Sequence, residues 1–136
     1  MAKTILTDCS VTVNGVNLSD HVESVEINSE VEDVDLTSMG ATAREHGQGL
    51  RSDSMTFNFF QDFSASKVDA TFWPLLSNTG FTVIVKPTSA AVSTTNPSFT
   101  ATCLLFTYQP LAGSVGEASQ TSIELQCSGA IVRATT

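Results

Sequence analysis

Thr37–Leu50 (TSMGATAREHGQGL) separates two stretches that read as β-strand, and the fold follows from how that interval is read. It holds three glycines, no sustained apolar period and too few large apolar residues for a core of its own. Connections inside compact domains run about 4–6 residues, and longer ones without structure tend to be functional. Before it, Glu30–Leu36 (EVEDVDL) is an acidic strand candidate; after it, Ser54–Phe60 places Met55, Phe57 and Phe59 on one face. The interval is therefore an arm of about residues 37–50 on a small β-domain, and its expected task is to grip a partner.

Outward from the arm, period-2 patterning dominates. Val11 and Val13 alternate with Ser10 and Thr12, and Asn14-Gly15 is a strong two-residue hairpin signal before Val16 and Leu18. Val25 and Ile27 share one face of the next strand, opposite Ser24, Glu26 and Asn28. Phe81–Lys86 (FTVIVK) is rich in β-branched residues. Phe99–Tyr108 (FTATCLLFTY) is the most apolar strand, near-continuous over Cys103–Phe106 and so expected to be buried on both faces. Ile123 and Leu125 alternate with Ser122, Glu124 and Gln126, and Ala130–Arg133 closes the pattern. The one helix expected is Ser64–Leu76, with Val68, Phe72 and Leu75 or Leu76 at helical spacing, Ser66 and Asp69 as an N-terminal capping box, and Pro74 distorting its end. Trp73 is read as core packing. About seven strands and one helix predict a mainly β, antiparallel sandwich or barrel with a flanking helix, in a single domain spanning residues 1–136.

Composition narrows the function classes. Apolar residues make up 41% and charged residues 15%, which fits neither a disordered chain nor a membrane-spanning one, and no apolar run approaches about 20 residues. The N-terminal MAKTILTDCSV has no apolar signal core, so export by that route is not expected. The net charge is −8, and the six Lys and Arg residues are scattered, so no basic cluster is available to bind phosphates. Cys9, Cys103 and Cys127 form no CxxC and read as inert, reduced small hydrophobes. His21 and His46 read as solvated, with no metal-ligand spacing around them. The carboxylates from Glu23 to Asp35 lack the glycine turn and spacing of a calcium loop, and Gly47 and Gly49 form no nucleotide-binding pattern. No catalytic constellation, cofactor site or metal site is expected.

Four segments, taken in order, resemble the tail tube (major tail) proteins of long-tailed bacteriophages. They are DCSVTVNGVNLSDHVESVEI, VEDVDLTSMG, MTFNFFQDFSASKVDATFWPLL and TNPSFTATCLLFTYQPLAGSVGEASQTSIELQCSG, and their order and spacing carry the resemblance over nearly the whole chain, from about Asp8 to Arg133. The resemblance implies a β-sandwich with a flanking helix, assembled with copies of itself into rings, usually hexameric, that stack as a hollow tube. DNA would leave through that tube without binding specifically, and other tail or neck proteins would join its ends. It implies a virion tail protein assembled in the host cytoplasm, with no membrane and no small-molecule substrate. In that frame Met39 is the apolar anchor of the arm, Arg44, Glu45 and His46 are its polar contacts, and Glu26, Asn28, Ser122, Glu124 and Gln126 are candidates for the lumen wall. A negative wall repels phosphate, which fits the chain's charge. Two alternatives remain: a neck, connector or tail-hub ring of the same fold, which would stop at one ring, and a monomeric β-sandwich binding module.

Overall fold

A computed structural model describes residues 3–77 and 80–136. The strands are β1 (Ser10–Val13), β2 (Val16–Asn17), β3 (Val22–Asp35), β4 (His46–Phe60), β5 (Phe81–Lys86), β6 (Ser98–Leu105), β7 (Gln120–Cys127) and β8 (Val132–Ala134). All pair antiparallel in one continuous sheet, ordered β2-β1-β5-β6-β7-β4-β3, with β8 added on β6.

Alternation explains how one sheet makes a core. Val11 and Val13 of β1, Met55, Phe57 and Phe59 of β4, Val83 and Val85 of β5, and Ile123 and Leu125 of β7 are all buried in one cluster. Residues from distant places in the strand order can share a core only if the sheet curls over it. This is the sandwich-or-barrel expected from the pattern. Asn14 and Gly15 have φ of 50° and 83°, the left-handed pair that a two-residue hairpin requires.

The helix is shorter than predicted. Only Val68–Phe72 is α-helical (α1), and Trp73–Ser77 continues as a 3-10 turn. Pro74 has no N–H to donate back along the helix, so the α ladder stops there. The capping box is absent. Ser66 sits at φ 59°, Lys67 occupies the cap without a side-chain bond, and Asp62 instead accepts the Ser64 N–H at 2.9 Å to shape the entry turn. Val68, Phe72 and Leu75 nevertheless close one end of the core. Phe72 lies 5.3 Å from Phe59 and 6.2 Å from Tyr108 between ring centroids, spacing suited to tilted aromatic packing.

Two further expectations are corrected. β6 ends at Leu105, and Phe106 is 69% exposed, so the run is not buried on both faces; its apolar character past Leu105 belongs to the surface. Trp73 is 60% exposed and leans on Tyr108 from outside the core, because its backbone is still α-helical and successive helical residues point about 100° apart, so with Phe72 inward Trp73 faces out. No helix among the described residues is long and apolar enough to cross a membrane.

A protruding arm and an acidic sheet face

The arm is a two-stranded ribbon, a correction to the structureless loop expected over residues 37–50. β3 and β4 stay paired out to Asp35 and His46, so His46–Leu50 is strand and the connecting tip is residues 36–45. Its outer part depends only on itself. β4 pairs with β7 from Phe60 to Ser54 and no further, whereas its pairing with β3 continues through His46. A two-stranded ribbon standing alone is at best marginally stable in water.

Local features hold it in shape. Between Val31↔Arg51 and Asp33↔Gln48 the register shifts, with Gly49 and Leu50 together opposite Glu32. A Cβ on Gly47 would meet Leu36 Cδ1 at 2.6 Å and one on Gly49 would meet Val34 Cγ2 at 2.9 Å, so the glycines let Leu36 and Val34 lie close over β4. Asp33 Oδ1 lies 2.8 Å from His46 Nδ1, and the Arg44 guanidinium donates to Asp35 at 3.2 Å. The Glu45 N–H donates to Thr37 Oγ1 at 2.8 Å, and the Leu36 N–H to the Glu45 carbonyl at 2.9 Å. Of the four arm residues singled out from sequence, then, Arg44 and His46 are engaged within the ribbon, Glu45 contributes its backbone, and Met39 is fully exposed at the tip.

At the arm's root the buried carboxylate of Asp53 (2% exposed) accepts the Ile131 N–H at 2.7 Å and Arg51 Nε at 3.1 Å. Burial raises its pKa, but the bonds from Ile131, Arg51 and Ser29 outweigh that and leave it below the ordinary carboxylate value. Asp53 thus ties the start of the ribbon to the segment before β8. Sequence reading missed it, although a charged residue in phase with Met55, Phe57 and Phe59 is itself the signal.

The five lumen candidates converge on one face. Glu26 is paired with Thr56 and Thr56 with Glu124; Asn28 with Ser54 and Ser54 with Gln126; Ser24 with Asn58 and Asn58 with Ser122. Glu26 and Glu124 therefore stand two strand spacings apart, about 10 Å. Gln126 Nε2 donates to Glu124 Oε1 at 3.1 Å, and Asn58 Nδ2 to Glu23 Oε2 at 2.9 Å. Strand residues 22–30, 54–60 and 120–126 include no Lys or Arg. Ser54, Thr56 and Asn58 complete the face; the alternation of β4 that names Met55, Phe57 and Phe59 also names them.

His21 corrects the solvated reading. Its side chain is half-buried and places Nδ1 2.8 Å from Asp20 Oδ1 and Nε2 2.8 Å from Asp62 Oδ2. The bonds to Asp20 and Asp62 outweigh desolvation and raise its pKa. Ser64, donating from backbone and side chain, and then His21 draw the Asp62 carboxyl down to about 2. The three cysteines are free thiols; Cys103 is buried, and burial pushes its thiol far up, which disfavours the thiolate. No three metal-type ligands converge among the described residues.

No family model matches the chain, and no curated protein matches it by sequence. Solved structures do. A chain in the virion of a native gene transfer agent particle superposes with a TM-score of 0.73 at 16% identity, over 93% of this chain and 95% of that one. The tail tube of SPP1, solved by solid-state NMR and cryo-electron microscopy, gives 0.75 at 12% identity, over 98% and 80%. A chain in the tail of an empty gene transfer agent particle, refined with C6 symmetry, gives 0.64 at 16% identity, over 82% and 81%. At such identities the likeness is one of architecture, and the architecture of this chain is the tail-tube fold.

Proposed function

We propose that this chain is a structural subunit that assembles with itself into stacked rings forming a tail tube, a conduit for DNA. The observation that carries this reading is the ribbon: two long strands extend past the last β7 partner into water with apolar residues exposed, an arrangement suited to a partner subunit. Cyclic contacts close a ring, and a head-to-tail contact along the axis propagates a tube. Six subunits per ring agree with the C6 symmetry of one similar structure. The face of Glu26, Asn28, Ser122, Glu124 and Gln126 lines the lumen, where carboxylates without cations give phosphate no place to stick. Met39, Arg44, Glu45 and His46 carry the tip to the neighbour. Other tail or neck proteins cap the tube in the virion after assembly in the host cytoplasm, and the subunit has no catalytic role.

Negative-stain electron microscopy of the purified chain over a concentration series tests this. Hollow rods with a regular axial repeat are expected. Replacing residues 32–50 by Asn-Gly joins the paired Val31 and Arg51 through a two-residue turn, and should give a folded protein that forms no rods. Rods from that variant would remove the arm from the assembly; wild-type particles that end at single rings would move the chain to a neck or connector station.

A further inference from the structure

The arm has a complement elsewhere on the same molecule. Val34 and Leu36 lie over Gly49 and Gly47, with Leu50 in the register shift beside them; Leu36 is 58% and Leu50 82% exposed. Beside this apolar strip stands Glu32, which makes no ion pair among the described residues, unlike Asp33 and Asp35. Residues 30–45 carry Glu30, Glu32, Asp33, Asp35 and Glu45 against Arg44 alone, so the ribbon is an acidic object with an apolar strip.

The root of the arm borders two adjoining hollows of about 350 and 180 Å³ that share Ile27 and Phe99 as walls. Ile131 completes the apolar wall of one, and Leu6, Val25 and Val85 line the other. Arg51 and Arg133 both line the larger hollow; Arg51 is already paired with the buried Asp53, whereas Arg133 makes no ion pair among the described residues and is the cation left over. An arm cannot fill the hollow at its own root. Ser29 is part of the wall, and Leu36 is seven residues further along extended backbone, about 23 Å away.

We infer that this hollow receives the arm of a second copy of the chain, with Val34, Leu36 and Leu50 against Ile27, Phe99 and Ile131 and Glu32 beside Arg133. Charge favours this site over the exposed apolar residues beside α1. Phe63 and Trp73 flank α1 in the company of Asp20, Asp62 and Asp69 against Lys67, an acidic balance that repels an acidic ribbon, whereas Arg133 at the hollow attracts it. The inference deepens the tube reading by naming the surface that takes the arm, and the contact itself can be tested apart from rod formation.

The test places a photo-crosslinking benzoylphenylalanine at Leu36 in the full chain. A mixture of isotope-labelled and unlabelled protein is irradiated, and the inter-copy products are mapped by mass spectrometry. Products at Leu6, Ile27, Phe99 or Ile131 are expected. Arg133→Glu should lower their yield about tenfold, and Glu32→Lys in the same chain should restore it; both positions are exposed, and circular dichroism confirms that each variant folds. Rods with products at Phe63 or Trp73 overturn the docking and leave the tube. Products at the hollow in dimers or single rings, without rods, uphold the docking and overturn the tube. No inter-copy product at any concentration, or an Arg133→Glu yield equal to wild type, overturns the docking.

Discussion

Replacing Asp53 by Ala removes the one carboxylate that ties the ribbon's root to the body, and its cost can be worked from the structure. The Ile131 N–H, on a residue only 7% exposed, loses its acceptor at 2.7 Å. A buried donor left without a partner costs about 1–3 kcal/mol. The Arg51 bond adds less, because that guanidinium is 45% exposed and water replaces the lost carboxylate, so about 0.5–1 kcal/mol is appropriate. The sum is about 3 kcal/mol, a large share of the 5–15 kcal/mol typical of a domain. For a chain of this length that corresponds to a fall in Tm of about 10 °C. Thermal unfolding followed by circular dichroism measures it, at protein concentrations low enough to keep the chain monomeric, since assembly would stabilise the folded state by mass action. Asp53→Asn keeps an oxygen for the Ile131 N–H and should lose about half as much. Asp33→Asn, on an exposed carboxylate, should change stability by less than about 0.5 kcal/mol. The sign with pH is fixed too. Because the folded-state pKa of Asp53 lies below its unfolded value, its stabilisation is complete above that unfolded value and disappears as pH falls through the folded one. An Asp53→Ala protein melting within about 2 °C of wild type would refute the reasoning.

Other outcomes follow from the same geometry. The raised pKa of His21, held between Asp20 and Asp62 with Lys67 3.8 Å from Asp20, means that its stabilising bonds are complete below the unfolded histidine value and weaken as pH rises through the folded one. Proton NMR titration should place His21 above an ordinary histidine, and Asp62→Asn should bring it down; an unchanged midpoint would contradict the bridged geometry. Reversing charge on the acidic face with Glu26→Lys and Glu124→Lys should make that face bind DNA, while the wild-type protein should show no binding. Fluorescence anisotropy with duplex DNA should then show affinity that falls steeply with added salt. Wild-type protein binding as tightly as the reversal would remove the lumen assignment.

The parts of the fold that were legible in sequence are those in which neighbouring residues carry the information. The Asn14-Gly15 turn, the alternation of Val11 with Val13 and the Met55-Phe57-Phe59 row each needed only a few consecutive residues, and each is present. His46–Leu50 was not legible as strand, because HGQGL has two glycines and no alternation; its extended state comes from β3, a partner more than ten residues away. The helix was overextended because helical spacing continues through Leu76, while the entry turn at Asp62 and the missing N–H of Pro74 limit it. Glu26 and Glu124 could be placed on polar faces by alternation, yet that they share one face depends on the register of β4 between them. The hollow had no sequence signature, since Leu6, Ile27, Phe99 and the Ile131–Arg133 pair come from four separate segments.

β3 and β4 run from the core into the arm without a break in the strand, and the residues where they leave the body include Asp53 with its anchor to Ile131. Antiparallel ladder bonds lie perpendicular to the strands. A pull on the tip along the ribbon draws β3 and β4 the same way and therefore loads the β4–β7 pairs, from Ser54↔Gln126 to Phe60↔Gln120, in shear and together, instead of opening them one at a time. Mechanically the arm is a tension member continuous with the wall of the subunit. Stress applied at one copy's tip passes into the β3-β4-β7 sheet, leaving α1 and the β1-β2 hairpin on the far side of the strand order outside the load path.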